Sequence, residues 1–349
     1  LGAVTMIPEH IFEGNTDIKS ADANLMDIGS GPYKLKEFKD GESLVLEKFG
    51  DYYGGEPSID TVAFKVISDA STQEVAMQNG EINLMELSDA TVVEKYSKEE
   101  NYQVHEFPEG RVNYMAWNKY SATWENKDAL EAVFAAIDAQ EIIDGAYSGI
   151  MAEKANSILS NGTMFYDKSI KAYEQDLDKA KELAKSSGLT SKTLKLYYNS
   201  DRAYMEDTAL ILQQQLKAAG ITLEIQGVES NGFFDIVFGD SSDYDLYLNG
   251  YSGGIDPDET IAGMFDGTWG INVDTSDEIL ELFKKGRSIV DSSERVAIYK
   301  EIQEKASEQK LIYPIAYPNY NFVSLKSLDG ADLFKHTPIF EDYSKLSYK

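Results

Sequence analysis

The sequence predicts an α/β protein, and three observations carry that prediction. A strand-like run at 193–198, a helix-periodic run at 201–219 stopped by Gly220, and a second strand-like run at 221–228 form a βαβ-like unit. Strand and helix signals also alternate from the hairpin at 33–49 through to 96. The 349 residues, 42% hydrophobic and 11% aromatic, suffice for a sizeable core and predict about two domains.

Taken in order, Asp40-Gly41 separates two alternating runs, 33–38 and 43–49, which read as a β-hairpin. A strand is expected at 62–67, a helix at 71–78, an extended segment at 81–87 and a helix at 90–96. From Gly110 the character changes: 111–118 reads as a strand and 127–147 as one or two helices, with Leu130, Val133, Phe134 and Ile137 on one face. In the βαβ-like unit Met205, Ala209, Leu212, Leu216 and Ala219 recur at helical spacing and are predicted core. Helices follow at 259–265, 278–285 and 294–307, the last behind a capping-box pair, Asp291 and Glu294. Segments 311–316 and 321–325 are predicted extended, and the tail from Asp329 is rich in turns.

Composition removes several classes of function. Lys and Arg total 32 against 60 Asp and Glu, a formal charge of −28 that repels nucleic acid and anionic membrane surfaces. The absence of cysteine removes disulfides, thiol nucleophiles and thiolate metal sites. The three histidines, His10, His105 and His336, include no pair at metal-ligand spacing, so neither a metal nor a cofactor is expected. Apolar runs such as 130–137 fall far short of the ~20 residues of a spanning helix. Leu1 is not an initiator and no signal segment precedes it, so the chain reads as processed or as a fragment.

One motif is enzyme-like. Gly250-Tyr251-Ser252-Gly253-Gly254 fits the G-x-S-x-G nucleophile elbow behind a strand-like run at 244–249, with His336 downstream, and defines a serine-esterase alternative using Ser252. Against it, Asp256-Pro257-Asp258-Glu259 reads as the cap and first turn of a helix that begins too late for an elbow. No second oxyanion-donor segment is visible either. Asp240, Asp243 and Asp245 crowd one loop without calcium-loop spacing, and Gly29-Ser30-Gly31 lacks a phosphate-loop lysine.

Several segments together resemble the family 5 bacterial extracellular solute-binding proteins, the oligopeptide, dipeptide and nickel binders of ABC importers. Ile7-Pro8-Glu9-His10-Ile11-Phe12 resembles the family's Pro-x-His segment, and Gly29-Ser30-Gly31-Pro32-Tyr33 its Gly-x-Gly-Pro-Tyr start to a hairpin. Tyr114-Met115-Ala116-Trp117-Asn118 is similar to the strand that crosses between lobes. The 176–188 helix, Tyr197-Tyr198-Asn199, the 250–258 loop and Pro314-Ile315-Ala316-Tyr317 follow in family order. The resemblance implies a two-lobed periplasmic-binding-protein-like fold of type II with an incomplete first lobe. Crossings are expected near Gly110 and Tyr317, dividing the chain into 1–109 with 319–349 and 110–318. It implies a non-enzymatic, monomeric component outside the cytoplasm. That component is held at a membrane only by a lipid anchor on the missing N-terminal part, and delivers a peptide or other small solute to permease subunits.

The expected ligand-binding residues come partly from residue chemistry. Tyr114, Tyr251 and Tyr317 offer apolar faces with polar tips, and Asn199 a paired donor and acceptor. Arg111, opening the crossover strand, could pair with an anionic ligand group. Ser252, Gly254 and Asp256 enter through the resemblance. In peptide-binding relatives an Asp in this loop pairs with the ligand's amino terminus, three residues after a tryptophan. Here Gly254 stands at the Asp position and Tyr251 at the tryptophan position, leaving Asp256 as the nearby acid.

Overall fold

A computed structural model describes residues 7–22, 28–268, 273–334 and 342–349. After a short helix, α1 (Glu9–Phe12), the predicted hairpin forms from β1 (Tyr33–Lys39) and β2 (Ser43–Lys48), and β3 (Thr61–Lys65) completes a three-stranded antiparallel sheet. Gly41 makes the turn at φ 70°, a conformation that costs glycine little. The register slips between Leu35 and Glu37, a bulge that strict alternation did not reveal.

The rest is organised by one mixed sheet. α2 (Ala70–Gln78), β4 (Leu84–Leu87), α3 (Ala90–Ser97) and β5 (Tyr102–Pro108) lead into β6 (Arg111–Trp117). Then come α4 (Lys127–Ala136), α5 (Ala139–Ala146), β7 (Ala152–Lys154), α6 (Leu177–Ser186), β8 (Thr193–Asn199), α7 (Ala203–Ala218), β9 (Thr222–Val228), α8 (Ser230–Val237) and β10 (Leu246–Ser252). α9 (Pro257–Phe265), α10 (Asp277–Ser288), α11 (Ser292–Glu308) and β11 (Tyr313–Leu325) follow. The strand order is β4-β11-β6-β10-β8-β9, with β5 and β7 also on β11. β8 runs parallel to β9 and to β10, whereas β6 is antiparallel to β10 and to β11.

Period-two alternation sorts the strands' side chains into two cores, one on each face. Met115 and Trp117 of β6, Leu246 and Leu248 of β10, and Leu194 and Leu196 of β8 join α4 to α7 on one face. Val112, Tyr114 and Ala116, with Tyr247 and Tyr251, join α8 to α11 on the other. The predicted stripe of α7 is buried throughout, with Met205, Ala209, Leu212, Leu216 and Ala219 all at 2% exposure or less. Each of its two leucines contributes about 1.5–3 kcal/mol by leaving water.

Where the expected elements were left open or missed, the causes are local. Residues 127–147 form two helices because Ile137 is extended and Asp138 caps α5, accepting from the amides of Gln140 and Glu141. The two extended segments expected at 311–316 and 321–325 are one strand, β11, which runs through Pro314 and Pro318. Pro314 sits at a register shift against β6, where a ladder donor is not needed. β5, β7 and α8 were not anticipated, β7 being three residues long and α8 carrying Gly232 beside aromatic and β-branched residues.

Candidate ligand-binding cleft

The carboxyl ends of parallel strands are where open α/β sheets leave a crevice. Here β8 ends at Asn199 and β10 at Ser252. Antiparallel pairing brings the amino end of β6 to the same edge, with Arg111 opposite Ser252 and Asn113 opposite Gly250. β11 passes this edge at Tyr317 and Pro318, where the amide of Glu109 donates to the Pro318 carbonyl. Gly110, at φ 72°, turns the chain from β5 into β6, and its carbonyl accepts from the amide of Gly253. The turn into β6, the middle of β11 and the 250–254 loop are therefore tied together at one place.

Arg111 lies flat over β10. Its Nε donates to Asn113 Oδ1 at 2.9 Å and its Nη2 to the Gly250 carbonyl at 3.0 Å. The close approach requires glycine at 250, because a Cβ there would stand 2.6 Å from Nε and 2.2 Å from Asn113 Oδ1. Asn113 is fixed in turn by donating to Tyr147 Oη at 2.8 Å. Among the described residues Arg111 has no carboxylate partner.

The three predicted tyrosines are brought to this region but face the core and not an opening. Tyr114 is 1% exposed and its ring lies 5.4 Å from that of Tyr251. Its hydroxyl has Asn249 and Tyr247 beside it but no hydrogen bond of good geometry, and burial drives its pKa upward. Tyr251 donates to the Ile158 carbonyl. Tyr317 Oη donates to Asn156 Oδ1 at 2.9 Å and accepts from the amides of Asn156 and Ser157. These hydroxyls are spent on holding the 156–158 segment against the sheet.

Asn199 is likewise engaged within the protein, donating to Ser230 Oγ at 2.8 Å and accepting from the Asp201 amide at 2.9 Å. Ser252 is exposed at the last position of β10, and Gly254 is half-buried. Asp256 is not a free acid. It caps α9 and receives Arg295 end-on, Nη1 to Oδ2 at 2.6 Å and Nη2 to Oδ1 at 2.7 Å, while Arg295 also reaches Asp258 Oδ2 at 3.1 Å. Those bonds hold the Asp256 carboxyl below the usual carboxylate range. The guanidinium lies over the Phe165 ring, 4.7 Å from its centroid. Arg295 was not anticipated, since nothing in its local spacing names a partner 39 residues away.

The esterase alternative is not supported by this geometry. β10 ends at Ser252 and α9 starts only at Pro257, so Ser252 is not on a strand-to-helix elbow. His336 lies outside the described residues, and His105 bonds to Ser324 at 2.9 Å. The acidic loop is also accounted for: Asp240 accepts from Tyr120, and Asp245 from Ser121, Thr123 and the Lys195 amide. No group of three or more His, Asp or Glu among the described residues could hold a metal ion.

A cavity of about 520 Å³ lies elsewhere, between β3, β4 and the C-terminal segment, lined by Ile59, Phe64, Leu84, Tyr320, Phe322 and Tyr343. None of the eight expected ligand-binding residues reaches it.

A mixed sheet whose parallel strands β8 and β10 end at one edge, beside the antiparallel β6 and β11, is the arrangement of a periplasmic-binding-protein fold of type II. The chain belongs to the bacterial extracellular solute-binding proteins, family 5, whose middle-region model matches residues 2–272. It is similar to the oligopeptide-binding protein AppA of Bacillus subtilis, at 28% identity over 97% of this chain and 65% of that one. Among solved structures it is similar to the ABC transporter substrate binding protein CtaP of Listeria monocytogenes. There the TM-score is 0.89 with 35% identity, covering 98% of this chain and 71% of that one. The Bacillus subtilis AppA structure, solved in complex with a nonapeptide, gives a TM-score of 0.72 with 26% identity over 99% and 72% of the two chains. The chain thus spans about 65% of the length of AppA.

Proposed function

We propose that this protein is the solute-capturing component of an ABC importer. It works outside the cytoplasm as a monomer, bound to the membrane through a lipid anchor, and hands a peptide or other small solute to permease subunits without catalysing a reaction. The observation that carries this reading is the pair of strands, β6 and β11, that run side by side into the loop edge where the Glu109 amide donates to the Pro318 carbonyl and the Gly253 amide to the Gly110 carbonyl. In this reading the lobes are 1–109 with 319–349, and 110–318. They close on the ligand about those crossings, driven by its tighter binding to the closed state. Support for a peptide comes from AppA, an oligopeptide-binding protein, and from its nonapeptide complex.

Within the crevice, Arg111, Ser252 and Gly254 are assigned to direct ligand contact. Tyr114, Tyr251 and Tyr317 are assigned to shaping its floor, with Asn199 and Asp256 fixing the adjoining loops. The test is thermal-shift screening of the full chain against random peptide and oligosaccharide libraries. A rise of several degrees with peptides is expected. No rise with either library, together with labelling of Ser252 by a fluorophosphonate, would refute the reading.

A further inference from the structure

The methionines of the described residues fall into two groups. Met77, Met85, Met115, Met205 and Met264 lie in the cores at 8% exposure or less, whereas Met164 is 40% exposed and Met151 is half-buried. Ser148, at φ 53°, and Gly149, at φ 72°, turn the chain after α5 and bring Met151 to the start of β7. There its amide donates to the Tyr147 carbonyl at 3.0 Å, and its carbonyl accepts from the Asn319 amide at 2.9 Å.

The Met151 side chain packs against two cores at once. One is the core that β6, β8 and β10 form with α4 to α7, and the other is a smaller one that holds Met77, Leu87, Tyr96 and Val323. With the lobes divided as proposed above, the first core belongs to 110–318 and the second to 1–109 with 319–349. Among the described residues no other hydrophobic side chain packs against cores on both sides of that division. Asn321 of β11 faces the sulfur from the far side of it. Asn321 is 1% exposed, and its Nδ2 points at Met151 Sδ across 3.8 Å, with the Asn319 carbonyl 3.4 Å away. Its Oδ1 has no hydrogen-bond partner. A thioether is a weak acceptor, so this buried amide is poorly satisfied.

Resting on the lobe-closure reading above, we propose that Met151 is a site of reversible oxidation by peroxide, and that its sulfoxide stiffens the joint between the lobes. A sulfur lone pair attacks one peroxide oxygen, the O–O bond breaks and the S–O bond forms. The proton of the transferred oxygen passes to the departing hydroxide, which leaves as water. Sulfur loses the two electrons that the peroxide gains, and a thiol-dependent sulfoxide reductase restores the thioether. In the reduced state three rotatable bonds let the side chain repack as the two cores shift past one another. The sulfoxide is polar and pyramidal, and its oxygen is a strong acceptor within reach of Asn321 Nδ2. Residue 151 of one lobe is then tied to residue 321 of the other by a directional bond. Capture needs an open state that admits the solute and a closed state that holds it, so fixing the joint weakens capture.

The experiment treats the full chain with hydrogen peroxide. It follows the product by peptide mass spectrometry, by hydrogen exchange and by thermal shift with a random tetrapeptide library. Met151 and Met164 are expected to oxidise about tenfold or more faster than the five core methionines. In Met164→Leu protein, where Met151 is the accessible one, oxidation is expected to slow exchange of the 316–321 segment about threefold or more. It is also expected to diminish the rise in midpoint that the peptides produce. Met151→Gln, which carries a carbonyl oxygen in place of the sulfoxide oxygen, is expected to reproduce both effects without oxidant. Met151→Leu keeps the volume without the sulfur and is expected to bind peptides normally and to ignore peroxide. In Asn321→Leu protein the oxide has no donor, so oxidation is expected to speed the same exchange. A Met151 that survives while Met164 is fully converted overturns the proposal. So does a Met151 sulfoxide that leaves exchange of 316–321 unchanged or faster with Asn321 in place. If peptides raise the midpoint of neither native nor variant protein, the transport reading loses its support, while oxidation and exchange still decide this one.

Discussion

Replacing Arg295 by Met tests whether one guanidinium holds the loop after β10 in place. Methionine keeps the apolar stem over Phe165 but removes every polar contact. Three charge-assisted bonds disappear, at 2.6, 2.7 and 3.1 Å, along with a 3.3 Å contact to Tyr299 Oη. Asp256 and Asp258, 31% and 15% exposed at their side chains, lose this cation. Breaking a buried pair in this way costs about 3–5 kcal/mol, and the exposure of Asp256 lowers the expectation to ~2–4 kcal/mol. A loss of ~3 kcal/mol corresponds to roughly 6–12 °C in the midpoint of a domain of about 200 residues. Urea unfolding followed by tryptophan fluorescence measures it, and Asp256→Asn completes a double-mutant cycle whose coupling energy isolates the pair. The pH dependence supplies a second check. Asp256 binds a proton more weakly when folded than when unfolded, so its contribution is complete above the ordinary value of 3.8 and drains away as pH falls through the lowered one. The native and Arg295→Met proteins should therefore begin to converge in stability only below 3.8, as pH falls through the lowered value. A loss under about 1 kcal/mol at neutral pH, or an equal loss at acid pH, refutes the reasoning.

Three further outcomes are expected. Tyr251→Phe leaves the buried Ile158 carbonyl without its donor and should cost about 1–3 kcal/mol in urea unfolding. Gly253→Ala places a Cβ 2.6 Å from Thr163 Oγ1 and should lower stability by ~1–3 kcal/mol, with Thr163→Ala in the same background recovering part of it. Burial holds the His105 pKa below its usual 6.5, so the unfolded chain takes up the proton first and stability falls as pH drops through that value, levelling off below the folded one. His105→Gln should flatten this slope between about pH 7.5 and 5.5, and an unchanged slope would locate the titration elsewhere.

Local regularity made part of the architecture legible. The βαβ unit was readable nearly to the residue because α7 repeats its apolar positions at helical spacing and Gly220, at φ 81°, ends the unit's helix where sterics favour glycine. Asp256 and Asp291 could be recognised as helix caps for the same reason: their partners are two or three residues away. Pairing between distant segments was not legible. Two prolines made β11 look like two strands, and only its partners β6 and β7 on one stretch and β4 and β5 on the next make it continuous. The site divides in the same way. Arg111 could be named as a candidate because charge is visible in a residue name. Whether a tyrosine faces a crevice or a core depends on what its hydroxyl meets, and for Tyr251 and Tyr317 that is backbone 93 and 160 residues distant.

The length of β11 bears on how the chain matures. As the protein is synthesised, β4 and β5 emerge early, yet each must wait for β11 to receive its ladder, and His105 meets Ser324 only across 219 residues. Until then both strands present bare edges, which favour association with other chains. A part of the molecule made well before β11 is thus completed only with it, and the interval between those events is the period in which it most needs protection from its neighbours.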